Sequence, residues 1–281
     1  LAGVLHQPSL PSVVIFLWLV FCTKLSYPHW MFFLSVRLIH FAYLCLTACC
    51  NCREQYSVAE WVEFGTFVIM IQIKSFAFNP YQENTYILSD ETSECVIIDP
   101  GMYTGDEQNE FLKFISDNKL KPVLLLNTHC HIDHVLGNKF VFDTYGLLPQ
   151  FHKGEEIVLN SVVSYAPQMG IRYDVSPLPE VFLPESGTVN FGESALELIF
   201  SPGHSPAHLC FYNEKDCFLI GGDVLFYRSI GRTDLPGGNH DLLITNIREK
   251  LLVLPDNCRV YPGHGPSTSI GFEKQYNPFL S

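Results

Sequence analysis

The chain has 281 residues, of which 47% are hydrophobic and 16% charged, and carries a formal net charge of -12 at pH 7. That length supports one large domain or two modest ones around a sizeable core. The acidic balance, with no basic run anywhere, argues against a nucleic-acid partner, because phosphate binding draws on clustered Lys and Arg.

Residues 1 to 69 differ in kind from the rest. They hold Lys24, Arg37 and Arg53 against Glu54, Glu60 and Glu63, so their charges cancel. Removing these from the totals of 17 and 29 leaves 14 basic and 26 acidic residues, all in 70 to 281. Leu10 to Cys22 is an apolar run too short for the ~20 residues that a span needs. Trp30 to Cys50 is long enough but contains Arg37, which costs roughly 2.5 to 3.5 kcal/mol near a bilayer centre. No basic residue precedes Lys24 to open a secretory signal, and Leu46 to Cys49 only loosely resembles a lipoprotein box. We therefore expect residues 1 to 69 to be an apolar, Cys-rich extension outside the native domain, upstream sequence with Met70 as the natural start. A membrane anchor or signal is the alternative. The ten cysteines fall five in each part and are scattered, which argues for reduced thiols in a cytosolic domain rather than a disulfide framework.

From Met70 the pattern becomes orderly. Ile71, Ile73 and Phe76 open a strand, and Thr85 to Leu88 and Cys95 to Ile98 read as two more, separated by a polar turn at Asp90 to Ser93. Asp99, Pro100 and Gly101 end the third. Phe111, Phe114 and Ile115 mark a helix from about Asp106 to Asn118. Pro122 to Asn127 is a strand buried on both faces, and a helix is predicted from about His134 to Tyr145. Another fits Glu155 to Tyr165, after which Pro167, Pro177, Pro179 and Pro184 imply a long surface connection of the kind that often walls a substrate site. Strands resume at Thr188 to Phe191, Ala195 to Phe200, His208 to Tyr212 and Cys217 to Ile220. A helix with Leu243, Ile247 and Leu251 on one face follows, and a last strand, Arg259 to Tyr261, leads to His264. Strands with a helix thus occur once before about residue 185 and once after it. Two such halves stack as mixed sheets face to face with helices outside, an α/β (α+β) four-layer αββα sandwich.

The loop leaving the Pro122 strand carries Thr128, His129, Cys130, His131, Ile132, Asp133 and His134. Four potential metal ligands fall within six positions. A closed structural zinc site normally uses four Cys or His ligands in short pairs, and that pattern is absent. A carboxylate among imidazoles suits an open site that activates water. His129 and His131 can converge on one ion, while Asp133 and His134 face a second. Three further candidates stand at strand ends beside glycines: His204 in SPGHSPAH, Asp223 in IGGDVLF and His264 in YPGHGP. Alone, each is a weak signal. Cys130 alternates with His129 and His131 and so points away from a metal, as a buried apolar thiol. His208 and His240 read as structural and His152 as surface.

Together these motifs resemble the metallo-β-lactamase superfamily and, within it, the short single-domain glyoxalase II-like hydrolases. The resemblance covers residues 70 to 281. It implies that His129, His131 and His204 hold one metal, that Asp133, His134 and His264 hold the other, and that Asp223 bridges them. The implied cofactors are two divalent ions, zinc being expected, with iron or manganese as alternatives. The implied activity is hydrolysis of a small acyl thioester, such as a hydroxyacylglutathione, by a hydroxide shared between the metals, with Asp133 orienting it and Asp223 bridging. Full-length glyoxalase II adds a C-terminal helical region that supplies cationic glutathione contacts. By subtraction only 17 residues follow His264, so that region is expected to be missing. The stretch from Gly231 to Gly238 looks like that of the short relatives. There Arg232 and Asp234 are candidate substrate residues, or a pair holding a turn.

The expected partner is thus a small-molecule thioester, with no nucleic acid, and with no membrane unless residues 1 to 69 are expressed; the expected compartment is cytoplasmic. A persulfide dioxygenase with mononuclear iron, a relative that also shows GRTD, is the alternative enzyme. A non-catalytic metal-binding or membrane-anchored interaction protein is the alternative class.

Overall fold

The structure, a computed structural model, describes residues 70–280. The expectations for residues 1 to 69 lie outside the described residues. No helix among the described residues is long and apolar enough to cross a membrane.

Five strands form the first sheet, in the order β1 (Gln72–Phe78), β2 (Glu83–Ser89), β3 (Glu94–Ile98), β4 (Lys121–Leu126) and β5 (Pro149–Gln150). The first three form an antiparallel meander, and β3, β4 and β5 run parallel. Such a parallel step needs a crossover, here helix α1 (Gly105–Asp117). Thr104 starts it with a capping box. Its side chain accepts from the Glu107 amide while the Glu107 carboxylate accepts from the Thr104 amide. Asp106 and Glu107 also complement the helix dipole.

The second sheet repeats the plan. Strands β6 (Thr188–Phe191), β7 (Ser194–Phe200), β8 (Leu209–Asn213) and β9 (Phe218–Gly222) form an antiparallel meander. Helix α5 (His240–Asn246), continued by a π-helical turn at Ile247–Leu251, then crosses to β12 (Arg259–Pro262), which pairs parallel with β9. A two-stranded ribbon, β10 (Leu225–Phe226) and β11 (Ser229–Ile230), lies between β9 and α5 in the chain. A short β13 (Thr268–Ser269) and helix α6 (Ile270–Tyr276) close the described chain.

The two-residue period of a strand explains the layers. Tyr86, Leu88, Val96, Ile98 and Leu126 of the first sheet meet Leu196, Leu198, Leu209, Phe211 and Ile220 of the second in one inner core. The intervening residues face outward: Ile87, Cys95, Ile97 and Leu125 pack on Phe111 and Ile115 of α1. On the other side Cys210, Leu219 and Val260 pack on Leu243, Ile247 and Leu251. This is the expected αββα sandwich.

Two expectations need correction. The helix predicted from His134 to Tyr145 is two pieces, α2 (Ile132–Val135) and α3 (Asn138–Tyr145). The break falls at Gly137, whose amide donates to the Pro100 carbonyl at 2.7 Å. A Cβ there would lie 2.1 Å from Met102 Sδ, so the chain passes too close to the Pro100 turn to wind on as a helix. The short strands β5, β10, β11 and β13 and helix α6 were not predicted, being brief and without a clear apolar period. Helix α4 (Glu156–Tyr165) matches its prediction and follows a 3-10 turn at Lys153–Glu155.

Candidate metal centre

The ligand candidates all stand at C-terminal ends of strands. The His129 to His134 loop leaves β4, Asp223 follows β9, and His264 follows β12. Asp99 follows β3 in the first sheet just as Asp223 follows β9 in the second, each strand being the one that the crossover leaves. A strand end delivers its next side chain into the space beyond the sheet, and here both halves deliver into the same space.

Three imidazoles converge first. His131 Nδ1 lies 2.9 Å from His204 Nε2, which lies 3.3 Å from His129 Nε2. A second set lies beside them, with His264 Nε2 at 3.1 Å and His134 Nε2 at 3.8 Å from Asp133 Oδ2. Asp223 stands between the sets. Its Oδ2 is 3.5 Å from His204 Nε2 and 3.6 Å from His264 Nε2, and its Oδ1 is 3.5 Å from His134 Nε2. All seven residues singled out from the sequence are thus brought together.

The other ring nitrogens are held from behind. His204 Nδ1 is 2.7 Å from the Arg232 carbonyl and His264 Nδ1 is 3.1 Å from the Tyr81 carbonyl. Donation there leaves each Nε2 as a free lone pair. The Thr128 hydroxyl gives its one proton to Asp99 Oδ2 at 2.6 Å and so accepts from His129 Nδ1 at 3.0 Å. His134 Nδ1 faces Asp99 Oδ2 at 3.1 Å.

Electrostatics divides the two sets. Burial pushes His129 well below the ordinary imidazole value, and His134, His131 and His204 push it further. His131 is lowered to about 3 by burial and by His204. His204 is also lowered by burial, against the pull of Asp223. These three rings are neutral at pH 7, the form that binds a metal. In the other set, burial would lower His134 and His264, but Asp223 and Asp133 outweigh it and raise both. Asp133 and Asp223 are held ionised by these imidazoles despite burial, with Asp223 pushed far below the usual carboxylate range.

The fit of this donor set to cations can be read from what it leaves unsatisfied. His134 Nε2 and Asp223 Oδ1 are buried and have no hydrogen-bond partner among the described residues. Buried polar atoms are normally paired, and three lone-pair nitrogens aimed at one point repel unless a positive charge lies between them. His129, His131 and His204 form one group with metal-ligating spacing, and Asp133, His134 and His264 form another; His129, His134 and Asp223 form a third. Imidazole with carboxylate suits divalent first-row ions.

Residues 78–264 match the family described as the Metallo-beta-lactamase superfamily. The chain belongs to this superfamily. It is 37% identical to the probable metallo-hydrolase YqgX of Bacillus subtilis, over 72% of this chain and 94% of that one. Hydroxyacylglutathione hydrolase GloC of Haemophilus influenzae is 32% identical, over 75% of this chain and 99% of GloC. Among solved structures, the B3 metallo-beta-lactamase BLEG-1 superposes with a TM-score of 0.69 at 34% identity, covering 75% of this chain and 100% of BLEG-1. TTHA1623, solved in a di-iron-bound form, gives 0.67 at 35% identity over 74% of this chain and 100% of its own.

Several supporting residues of this superfamily site escape a sequence reading. Glu155 is fully buried. It accepts from the Cys130 amide at 3.0 Å, the Ala207 amide at 2.8 Å and the Ser205 hydroxyl at 2.6 Å, so one carboxylate joins the His131 loop to the His204 loop. His208 stacks on His129 with centroids 4.9 Å apart and accepts from the Asp223 amide at 3.1 Å. It was assigned a structural role, and that role includes fixing the backbone of Asp223. Glu83 lies beneath His134, its Oε1 at 4.0 Å from Nδ1 and without a hydrogen-bond partner among the described residues. Burial raises its carboxyl well above the ordinary value. Cys130 points into an apolar cluster with Val135, Phe151 and Leu159, and burial raises its thiol well above the ordinary value.

Of the substrate candidates, Arg232 lines the cavity over the site, but its guanidinium is held by Asp234, with Nε and one terminal nitrogen each 2.7 Å from a carboxylate oxygen. Both side chains are largely exposed. His152 is half-buried rather than on the surface. Its Nδ1 accepts from the Gly154 amide and its ring lies 4.9 Å from that of Phe200.

Proposed function

We propose that the protein is a dinuclear metal-dependent hydrolase of small acyl thioesters, of the hydroxyacylglutathione hydrolase type, with its catalytic domain in residues 70 to 281. In this reading His129, His131 and His204 would hold one divalent ion and Asp133, His134 and His264 the other, with Asp223 placed to serve both. The observation that carries it is the position of Asp223, whose two oxygens reach imidazoles of both sets within 3.5 to 3.6 Å. A single-ion site would leave Asp133 and His264 without a purpose.

Bound divalent ions lower the pKa of water and polarise a carbonyl. The chain's own residues do the rest. Asp133, ionised and 3.1 Å from His264 Nε2, is placed to orient a water and take its proton. The carbonyls of Arg232 and Tyr81 hold His204 and His264 in the tautomer with Nε2 free. No Ser or Cys nucleophile is called for, and Cys130 faces away. Similarity to GloC supports the thioester substrate. Zinc suits the donor set, while TTHA1623 shows that a relative takes two irons.

Elemental analysis of the purified protein, with assays on lactoylglutathione, a β-lactam and glutathione persulfide, tests this. Two metals per chain and thioester turnover are expected. In Asp223→Ala the second metal is lost and turnover falls, by on the order of 10²- to 10³-fold if Asp223 matters as much as a typical electrostatic stabiliser, while the far-UV spectrum is kept. One iron per chain with oxygen consumption would overturn the proposal in favour of a persulfide dioxygenase.

A further inference from the structure

Above the ligands lies a cavity of about 1070 Å³. One wall is α4, which turns Ile157, Ser161 and Tyr165 toward it, spaced i, i+4 and i+8, while Leu159 and Val162 pack inward. Met169 extends this wall, and Phe226, Ile230, Leu235 and Pro236 also line the cavity. Ile157 is 73% and Met169 50% exposed. These are large apolar side chains left open to solvent beside a reaction centre, where singly scattered exposed apolar residues would call for no explanation.

Charge is as informative. Apart from the ligand candidates, Arg232 is the only ionisable Lys, Arg, Asp or Glu among the described residues lining the cavity, and Asp234 holds one edge of its guanidinium through two hydrogen bonds. Glutathione carries two carboxylates. Among the described residues no unpaired Lys or Arg lines this cavity to receive them, and burying unpaired carboxylates is costly.

We infer that the cavity selects a thioester with an unbranched apolar acyl chain, carried on a thiol without glutathione's pair of carboxylates, because its wall is apolar and its one lining cation is already paired. This rests on the thioester hydrolase reading and narrows it. The chain would lie along Ile157 and Met169 with the carbonyl over Asp223.

The test has two arms on the metal-loaded protein. In the first, kcat/KM is measured for acetyl, butyryl, hexanoyl and octanoyl thioesters of N-acetylcysteamine, and for the same acyl groups on glutathione. In the second, calorimetry follows binding of the matching S-alkyl thioethers, which cannot be hydrolysed. Each added methylene is expected to raise kcat/KM and affinity by about fourfold through hexanoyl, with the glutathione series no better than the neutral one. Ile157→Ser and Met169→Ser, both at exposed positions, should flatten the dependence on chain length without shifting the melting temperature. A flat series in both arms, or a preference for the glutathione thioesters, overturns the inference. Chain-dependent thioether binding without turnover would sink the thioester reading and leave the apolar cleft standing. Turnover with no chain dependence would do the reverse.

Discussion

Glu155 carries more of the centre than its distance from the metals suggests. Its carboxylate is fully buried and takes its hydrogen bonds from both ligand loops. An amide in its place offers one acceptor fewer. Glu155→Gln is therefore expected to cost about 1 to 3 kcal/mol in urea unfolding and to weaken metal binding by roughly 10- to 100-fold, the usual effect of removing a support behind metal ligands, read by competition with a chelating dye. Gly263 makes a complementary case. A Cβ there would sit 2.2 Å from Asp223 Oδ1 and 2.7 Å from His134 Cε1. Gly263→Ala must push Asp223 or His134 aside, so thioester turnover should fall by ~10²-fold or more, the scale of a misplaced catalytic group. Asp223 lines the open cleft and can yield into it, so the melting temperature of the metal-free protein should change little.

At the scale of elements, two carboxylates join the sheets at the end of the sandwich away from the ligand cluster: Glu94, which accepts from the Gly192 amide at 2.9 Å, and Asp90. Asp90, in the turn between β2 and β3, accepts from the Thr92 amide and hydroxyl, the Glu193 amide and the Ser194 hydroxyl. The last two belong to the β6–β7 turn of the other sheet. Burial alone would raise this carboxyl, but those hydrogen bonds outweigh it and hold it below its ordinary value. A depressed folded value means that the stabilisation is fully present above the unfolded value of ~3.9 and is lost as pH falls through the folded value. Asp90→Asn should cost about 1.5 to 3 kcal/mol at pH 7, and the gap between variant and wild type should close as unfolding is followed down to pH 2.

The same scale shows what a sequence can disclose. Strands β1 to β4 and β6 to β9 were legible because alternation of apolar residues is a local property; the seven candidate ligands were legible as a set only through the family resemblance, since His204, Asp223 and His264 are weak signals singly. The break at Gly137 was hidden, since its cause is Met102, 35 positions away by subtraction. Glu155 was equally hidden. Nothing beside it in the chain distinguishes it from a solvated helix-start residue, and its partners lie 25 to 52 positions away. The short β10–β11 ribbon and β13, with two residues per strand, fall below any periodicity.

For the whole molecule, the site is a joint between halves. His129, His131, Asp133 and His134 come from the first sheet's loops, and His204, Asp223 and His264 from the second's. Hydrogen bonds cross the same joint: the Asn84 amide donates to the Gly263 carbonyl at 2.7 Å, and the Tyr86 side-chain hydroxyl to the Pro262 carbonyl at 2.6 Å. Ions that bind this joint bind the folded state only, stabilising it by about 2.7 kcal/mol at one hundred times the dissociation constant. Stripping the metals with chelator should lower the melting temperature by roughly 5 to 10 °C, at the ~2 to 4 °C per kcal/mol of a domain this size, and adding zinc or iron back should restore it.

The spread of the ligands along the chain also sets a timetable for biosynthesis. By subtraction, His264 lies 135 positions after His129. At ribosomal speeds of ~5 to 20 residues per second, roughly 7 to 27 seconds pass between the making of the first ligand and the last. For most of that interval the nascent polypeptide carries two imidazoles, a carboxylate and a third imidazole on one loop, and until its end there is no His264 to complete the set. The full donor set is thus complete only when nearly the whole domain has been made.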